Sequence, residues 1–276
     1  MAVKFIPESH EYVSIADGEN IKWTSVTSLI GKLKQPFERD KIAAKSARNK
    51  KSKWYGMTPD EIKSAWDAEG ARAIAVGNWY HDQREADLLS LNTIERYGKE
   101  IPIVQPLDEE GFKVAPRQRL KDGMYPEHFV YMKSIGVCGQ ADLVEVIDGV
   151  IHITDYKTNK EIKEKSYVNW EGMSKKMEFP VSHLDDCNLN HYNLQLSLYM
   201  FMMLKHNPKL VPGDMIIQHV MFEKEGEDEN GYPILVEGAD GEPVIAEIKR
   251  YSLPYMKEEV TNIINWWNNN KQKNAS

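Results

Sequence analysis

The chain has 276 residues, of which 41% are hydrophobic and 28% are charged; this composition favours one sizeable packed domain and argues against wholesale disorder. Its two cysteines, Cys138 and Cys187, are too few for a disulfide scaffold, a four-cysteine zinc site or an iron–sulfur cluster. The sequence lacks a run of about 18 apolar residues that would predict a membrane span, and its start lacks the apolar stretch of a signal peptide. We therefore expect a cytoplasmic protein.

The net charge of −7 is distributed unevenly. Residues 32–53 contain nine Lys or Arg and two acidic residues, whereas residues 222–231 are mainly acidic. A basic run of this kind is either an ordinary solvated helix face or a surface for a polyanion such as nucleic acid.

The first 100 residues are expected to be mainly helical, after a short β element. Residues 3–29 predict that β element, with a turn at Asp17-Gly18. The pattern then becomes helical from about Val26 to Ala47.

A second helix is predicted by the capping signal Thr58-Pro59-Asp60-Glu61. Thr caps helices, Pro suits the first helical position, and Glu three residues after Thr completes a capping box. We expect this helix to reach about Glu69 and to be interrupted at Gly70. A further helix is expected after Gly77.

From about Pro102 the pattern changes to strands. Runs rich in β-branched and aromatic residues predict strands at 127–134, 136–146 and 150–157. A polar connection follows over residues 158–182. Residues 189–205 predict a helix that is apolar on nearly every face and is therefore buried.

The last part of the chain contains three further strand candidates, at 214–223, 232–237 and 243–251. A final amphipathic helix starts near Pro254, and residues 268–276 are expected to fray. This order predicts an α/β fold with a mixed central β-sheet flanked by helices. We expect a single domain over 1–276, with a mainly helical region at 1–100 and a core at 101–265.

The strands at 136–146 and 150–157 are joined by Asp148-Gly149, the strongest two-residue hairpin signal in the chain, which favours a type I′ turn. A two-residue loop sets the register of the hairpin. It places Val146 opposite Ile151, and Val144 opposite Ile153, on the expected core face.

The same register places Asp142 opposite Asp155, and Lys157 projects from the same face. Two carboxylates about 5 Å apart either share a proton or hold a cation. Mg²⁺ or Mn²⁺ suits such oxygen ligands, and a lysine beside them is typical of a site that hydrolyses phosphodiesters. The alternative is an exposed hairpin end with an ordinary salt bridge between Asp142 and Lys157, because Asp-x-Lys alone is a weak motif.

The pattern Gly139-Gln140-Ala141-Asp142, followed by Asp155-Tyr156-Lys157, resembles the PD-(D/E)XK nuclease superfamily, and within it the RecB-like branch that includes phage exonucleases. The resemblance implies a restriction-endonuclease-like core with Asp142, Asp155 and Lys157 as catalytic residues. It also implies that Asp142, Asp155 and the backbone carbonyl of Tyr156 bind Mg²⁺ or Mn²⁺. The proline that often precedes the first Asp is replaced by Ala141, and the four cysteines of the iron–sulfur members are absent.

Further positions match the branch elsewhere in the chain. Gln195 and Tyr199 fit its Gln-x-x-x-Tyr motif, share one face of the predicted buried helix, and are implied to be catalytic. His81, four residues after Gly77, matches a helical His that would be a third metal ligand, and Glu127 is an additional candidate ligand. A lone helical His is more often structural, so the combination of motifs is what promotes His81.

The function implied by the resemblance is a divalent-metal-dependent deoxyribonuclease, with an exonuclease of phage or bacterial DNA recombination, repair or replication as the leading interpretation. DNA is expected to follow basic side chains, namely Lys41, Lys45, Arg48, Lys50, Lys51, Lys53, Arg117 and Arg119. Trp54 or Tyr55 would then be placed to stack on an unpaired base.

Partners implied by this interpretation are DNA and a recombination, helicase or single-strand-binding protein. An oligomer is compatible with it, a membrane partner is not expected, and the location would be the host cytoplasm if the chain is encoded by a phage.

Two alternatives stay open. A non-catalytic DNA-binding or assembly subunit could retain the nuclease fold, although a decayed site is expected to have lost an acid or the lysine, and none is lost here. A structure- or sequence-specific endonuclease would share the chemistry, but it is expected to carry a base-reading module, which the sequence does not show.

Overall fold

The computed structural model describes residues 3–6, 11–14, 21, 23–105 and 118–275. Near the start, strands β1 (Val3–Ile6) and β2 (Glu11–Ser14) form an antiparallel hairpin. The expected turn at Asp17-Gly18 lies outside the described residues. Strand β3 (Thr24–Ser25) corrects the expected β element, because it pairs with the main sheet rather than with β1 or β2.

Three helices follow, α1 (Val26–Gly31), α2 (Arg39–Arg48) and α3 (Pro59–Leu89). The predicted helical pattern from about Val26 to Ala47 is present as two helices with a break between them. The chain leaves the helix between α1 and α2, where Pro36 lacks the N–H group that a helix interior requires.

Helix α3 begins at the predicted signal, and Thr58 and Glu61 form the expected capping box. The predicted interruption at Gly70 is wrong, because the helix continues for 31 residues. A glycine inside a helix costs only about 1 kcal/mol relative to alanine. Packing of the first half of α3 against α2, and of the second half against the sheet, outweighs that cost.

The short hairpin of strands β4 (Thr93–Arg96) and β5 (Lys99–Pro102) was not expected from the sequence. Its turn residues Tyr97 and Gly98 both have positive φ angles, of 53° and 73°. Tyrosine is uncommon in this conformation, so Tyr-Gly is a weaker hairpin signal than Asp-Gly.

The three predicted central strands are present as β6 (Gly123–Met132), β7 (Val137–Ile147) and β8 (Val150–Lys157). A buried helix, α4 (Asn188–His206), follows the polar connection as predicted. The remaining elements are β9 (Val211–Phe222), β10 (Lys224–Glu227), β11 (Pro233–Leu235), β12 (Ile245–Leu253) and α5 (Lys257–Ala275). Helix α5 thus extends over residues 268–275, where fraying is expected.

The main sheet is mixed. Its strands lie in the order β12-β9-β8-β7, with β6 along the second edge of β7 and β3 on the same edge as β8. The pairs β8–β9 and β3–β7 are parallel, and the other pairs are antiparallel. Between β3 and β8, the middle of β7 is left with one open edge.

Helices cover both faces of this sheet, which confirms the predicted α/β class. Helices α1, α4 and α5 pack on one face and enclose the main core, which includes Val144, Val146, Ile151 and Ile153. Helix α3 packs on the other face, where Tyr80 contacts Tyr156 and Val220. Within the described part of the chain, no helix has the length and apolarity that a membrane span requires.

The register of the β7–β8 hairpin is the predicted one. Asp148 and Gly149 both have positive φ angles, as a type I′ turn requires, and Val146 faces Ile151. Regular pairing continues as far as Leu143 and Thr154 and stops one residue before Asp142.

Candidate functional site

Three neighbouring strands each place one acidic residue at the same level of the sheet. Asp142 is central on β7, and Asp155 on β8 follows the last regular pair of the hairpin. Glu127 on β6 lies between two regular pairs that flank Asp142, so the register brings these two acids together. A row of three acids across three adjacent strands is costly unless cations compensate it.

The backbone at Glu127 is strained. Its φ angle of 48° is unusual for a residue with a long side chain. Such a conformation costs on the order of 1–3 kcal/mol and concentrates at functional sites. Sequence patterns do not reveal it, because the strand continues regularly on both sides. The side chain of Glu127 accepts a hydrogen bond from Gln140 Nε2 at 2.7 Å.

His81 reaches this row from helix α3. Its Nδ1 lies 3.5 Å from Glu127 Oε1 and 3.5 Å from Asp142 Oδ1. Each of these three residues offers a ligand atom within 4.8 Å of the other two, a spacing that could hold a metal ion. We call these residues the His–Glu–Asp cluster. The predicted ligands His81, Glu127 and Asp142 are therefore brought together.

The electrostatics of the cluster reflect an excess of buried negative charge. Burial raises the pKa of the Asp142 carboxyl to about 8, and the charge of Asp155 adds to this effect. Burial alone would lower the pKa of His81. Contact with Glu127 and the charges of Asp142 and Asp155 outweigh burial and raise that pKa to about 9. The protonated form of His81 is therefore favoured beside these carboxylates.

Asp155 lies beside the cluster rather than within it. Its Oδ2 is 2.5 Å from Lys157 Nζ, and its Oδ1 accepts a hydrogen bond of 3.4 Å from Gln195 Nε2. Burial would lower the pKa of Lys157, but the charges of Asp155 and Asp142 outweigh burial and raise it to about 12. Lys157 is thus a half-buried donor whose positive charge is stabilised by these carboxylates.

Tyr156 lies between Asp155 and Lys157 in the chain and contacts the His–Glu–Asp cluster. Its backbone N–H donates to Asp142 Oδ2 at 2.6 Å, and its ring contacts the rings of Tyr80 and His81. That hydrogen bond joins Asp142 to β8 where the regular ladder ends. A role of the Tyr156 carbonyl as a metal ligand stays a prediction.

Tyr199 explains the glycine of the Gly-x-x-Asp pattern. A Cβ atom added to Gly139 would lie 2.5 Å from Cε1 of the Tyr199 ring. The ring therefore packs directly on the backbone of β7, and only glycine fits beneath it. Gln195 Nε2 in turn donates to the Tyr199 hydroxyl at 3.3 Å. The two residues of the predicted motif on α4 therefore contact both central strands: Tyr199 packs on Gly139 of β7, and Gln195 donates to Asp155 of β8.

Two residues near Lys157 were missed. The ring of Tyr192 lies 5.0 Å from Lys157 Nζ, and its hydroxyl donates to Asn159 Oδ1 at 2.9 Å. The spacing of Tyr192, Gln195 and Tyr199 places all three on one face of α4. This row of polar side chains on an otherwise apolar helix could have identified Tyr192 as a site residue from the sequence.

The basic run at residues 32–53, here called the basic segment, lies apart from the three acidic residues of the site. Its six candidate side chains are all exposed, namely Lys41, Lys45, Arg48, Lys50, Lys51 and Lys53. Helix α2 contacts the first half of α3 through an ion pair of 2.7 Å between Arg39 and Asp67. Asp67 precedes His81 by fourteen positions in α3, which corresponds to about 20 Å.

The other DNA-binding candidates are not placed at the site. Arg117 lies outside the described residues. Arg119 is exposed and precedes Leu120, whose N–H donates to Asn207 just after α4, about 18 Å along that helix from Gln195. Trp54 is buried against Trp66 and Tyr232, so it is a packing residue, whereas Tyr55 is exposed.

Comparison of the chain with protein-family models, with curated proteins and with solved structures finds no match. The fold and the site define an α/β protein in which the His–Glu–Asp cluster lies beside an ion pair between Asp155 and Lys157.

Proposed function

We propose that this protein is a divalent-metal-dependent deoxyribonuclease with a restriction-endonuclease-like core, acting as an exonuclease. The observation that carries the proposal is the meeting of His81, Glu127 and Asp142 next to Asp155 and Lys157. These residues come from α3, β6, β7 and β8 and are scattered through the sequence. Gln195 of α4 completes the group through Asp155.

The donor set fits Mg²⁺ or Mn²⁺. Carboxylate oxygens are the ligands that both ions prefer, and His81 would add one imidazole nitrogen once it has lost its proton. Burial and then the charge of Asp155 raise the pKa of Asp142, and a bound cation would oppose both effects. When bound, such an ion would lower the pKa of a water ligand and screen the phosphate.

The protein's own residues divide the remaining tasks. Asp142 is held in place by the Tyr156 N–H, and Glu127 by Gln140. Lys157, kept protonated by Asp155 and Asp142, is positioned to donate to a phosphate oxygen or to the attacking water. Gln195 and Lys157 both hold the Asp155 carboxylate, so its orientation is fixed before substrate binds.

The test is digestion of end-labelled single-stranded and double-stranded DNA with Mg²⁺, with Mn²⁺ and with EDTA. We expect metal-dependent release of short products from one end of linear DNA. Lys157→Met should abolish cleavage, whereas Lys209→Met, which changes an exposed lysine after α4, should retain it.

Each other result selects an alternative. DNA binding without cleavage under any metal would indicate a non-catalytic subunit and contradict the proposal. Cleavage of closed circular DNA would indicate an endonuclease instead of an exonuclease. Equal activity of wild type and Lys157→Met would show that the Asp–Lys pair is not the active site.

A further inference from the structure

A cleft lies along α3 beside the proposed active site. It has a volume of about 110 Å³, whereas one water molecule needs roughly 10–15 Å³. It therefore has room for a planar ring. Its floor and walls come from α3, from the ends of β8 and β9, and from β10 and β11.

The lining is mainly apolar, and three of its four charged residues are basic. The apolar lining residues are Ala73, Val76, Val220, Met221, Phe222, Pro233 and Leu235. Arg72, Lys160 and Lys224 line the same cleft, together with one acid, Glu69. Arg72 pairs with Glu69 and lies 3.8 Å from Asp228 outside the lining, which leaves Lys160 and Lys224 unmatched by acids of the lining. Apolar walls with two lysines beside them fit a flat ring that carries a phosphate.

The cleft is lined by residues that neighbour the proposed active site in the chain. Thr158 and Asn159 line it and directly follow Lys157. Gly77 of α3 lies so close that an added Cβ would be 3.3 Å from Thr158 Oγ1, and His81 is about one helical turn further on. The cleft also lies at the carboxyl ends of the parallel strands β8 and β9, where ligands of open α/β sheets commonly bind.

The other end of the cleft meets the basic segment. Lys53 Nζ lies 4.3 Å from the ring centre of Tyr232, and the Arg72 guanidinium lies 5.9 Å from the same ring. Arg72 lines the cleft. The order along α3 is therefore the basic segment, the cleft and the His–Glu–Asp cluster.

We propose that this cleft binds the unpaired nucleobase of the nucleotide next to the scissile phosphate. The proposal rests on the nuclease function and adds a substrate class, namely single-stranded DNA or a frayed end. A base inside a duplex is stacked and paired, so it is not free to enter a side pocket. Stacking on apolar walls tolerates every base, which suits a nuclease without sequence preference.

The experiment compares single-stranded DNA with the same strand carrying abasic residues at its end. For the wild type we expect cleavage to be slower on the abasic strand by about tenfold, the size expected for loss of one stacked base. Ala73→Leu, which fills the cleft from the exposed side of α3, should slow cleavage of normal DNA by a similar factor. In that variant the abasic strand should be cleaved as fast as the normal strand.

The matched control is Ala75→Leu, at an exposed position on the same helix that does not line the cleft. It should behave as the wild type with both strands. The proposal is wrong if the wild type cleaves the abasic strand at the normal rate, if Ala73→Leu and Ala75→Leu behave alike, or if a blunt duplex is cleaved as fast as a single strand.

Failure of the nuclease function itself gives a different result. If the wild type cleaves no DNA, binding of thymidine 5′-monophosphate and of deoxyribose 5-phosphate is measured by calorimetry. Tighter binding of the nucleotide, lost in Ala73→Leu and kept in Ala75→Leu, would support the base-binding cleft although the nuclease proposal fails. Equal binding of the two probes would contradict the cleft as well.

Discussion

The two ends of the β7–β8 hairpin are formed by the same two strands but differ in their strand pairing and in the side chains they carry. At the turn end, Val146 and Ile151 are fully buried and face each other in a regular ladder. At the open end the ladder stops, and Asp142 is bonded to the Tyr156 N–H by its side chain. The comparison shows that apolar packing holds the turn end together, whereas the open end carries the charged side chains on which the proposed function depends.

The largest expected effect is a loss of DNA cleavage that follows substitution at the open end but not at the turn end. Asp155→Asn at the open end should reduce metal-dependent DNA cleavage by about 10³-fold or more, because it removes a charge from the proposed catalytic group. Ile151→Val at the turn end should cost about 1 kcal/mol of unfolding free energy and leave the rate per folded molecule unchanged. Cleavage assays and urea denaturation measure the two effects; a large loss of activity in Ile151→Val would contradict the division.

The next effect concerns packing at the open end. Gly139→Ala should destabilise the protein by about 1–3 kcal/mol, because the new methyl group collides with the Tyr199 ring. Gly70→Ala is the matched control, since an added Cβ meets nothing within 4 Å there. Its expected effect is stabilisation by up to about 1 kcal/mol. Denaturant unfolding of both variants shows the opposite signs; equal effects would mean that the ring does not lie on Gly139.

A pH dependence tests the charges of the open end. The contribution of protonated Asp142 to folding stability is complete below its unfolded pKa near 3.8 and is lost as the pH rises through its folded pKa of about 8. The contribution of protonated His81 is complete below its unfolded pKa of 6.5 and is lost as the pH rises through about 9. Both terms make the metal-free protein less stable at pH 9 than at pH 6.5, by on the order of 1 kcal/mol or more.

The control for this dependence is Asp142→Asn. It should raise the melting temperature of the metal-free protein at pH 9, where it removes a buried charge, and change it little at pH 6.5. Saturating Mg²⁺ should reduce the pH dependence of the wild type, since a bound cation favours the ionised carboxylates. A wild-type melting temperature that rises from pH 6.5 to pH 9 would contradict the proposed charge balance.

The smallest effect concerns the approach of DNA to the open end. Lys50→Glu or Lys51→Glu should weaken binding of DNA several-fold and flatten its dependence on salt, because fewer counterions are released. Lys209→Glu changes the charge equally at an exposed position outside the basic segment. Fluorescence anisotropy at several salt concentrations compares the three variants. If all three weaken binding alike, the effect is one of net charge and the DNA path lies elsewhere.

The sequence was most informative where structure depends on neighbouring residues. The Asp148-Gly149 turn, the alternation of β7 and β8, and the capping box at Thr58 are local, and each was predicted correctly. Predictions failed where distant packing outweighed local preference, as at Gly70 within α3. The β4–β5 hairpin was missed because Tyr97 is an unusual turn residue.

Motifs in the sequence identified most residues of the candidate site, namely Asp142, Asp155, Lys157, Gln195, Tyr199 and His81, but not Tyr192 and Asn159. Only the tertiary structure decided how they are grouped. His81 and Glu127 join Asp142, whereas Lys157 and Gln195 hold Asp155. The physical reason is that charge pairing in a buried site depends on distances of a few ångströms between side chains, and these distances are set by helices and strands far apart in the chain.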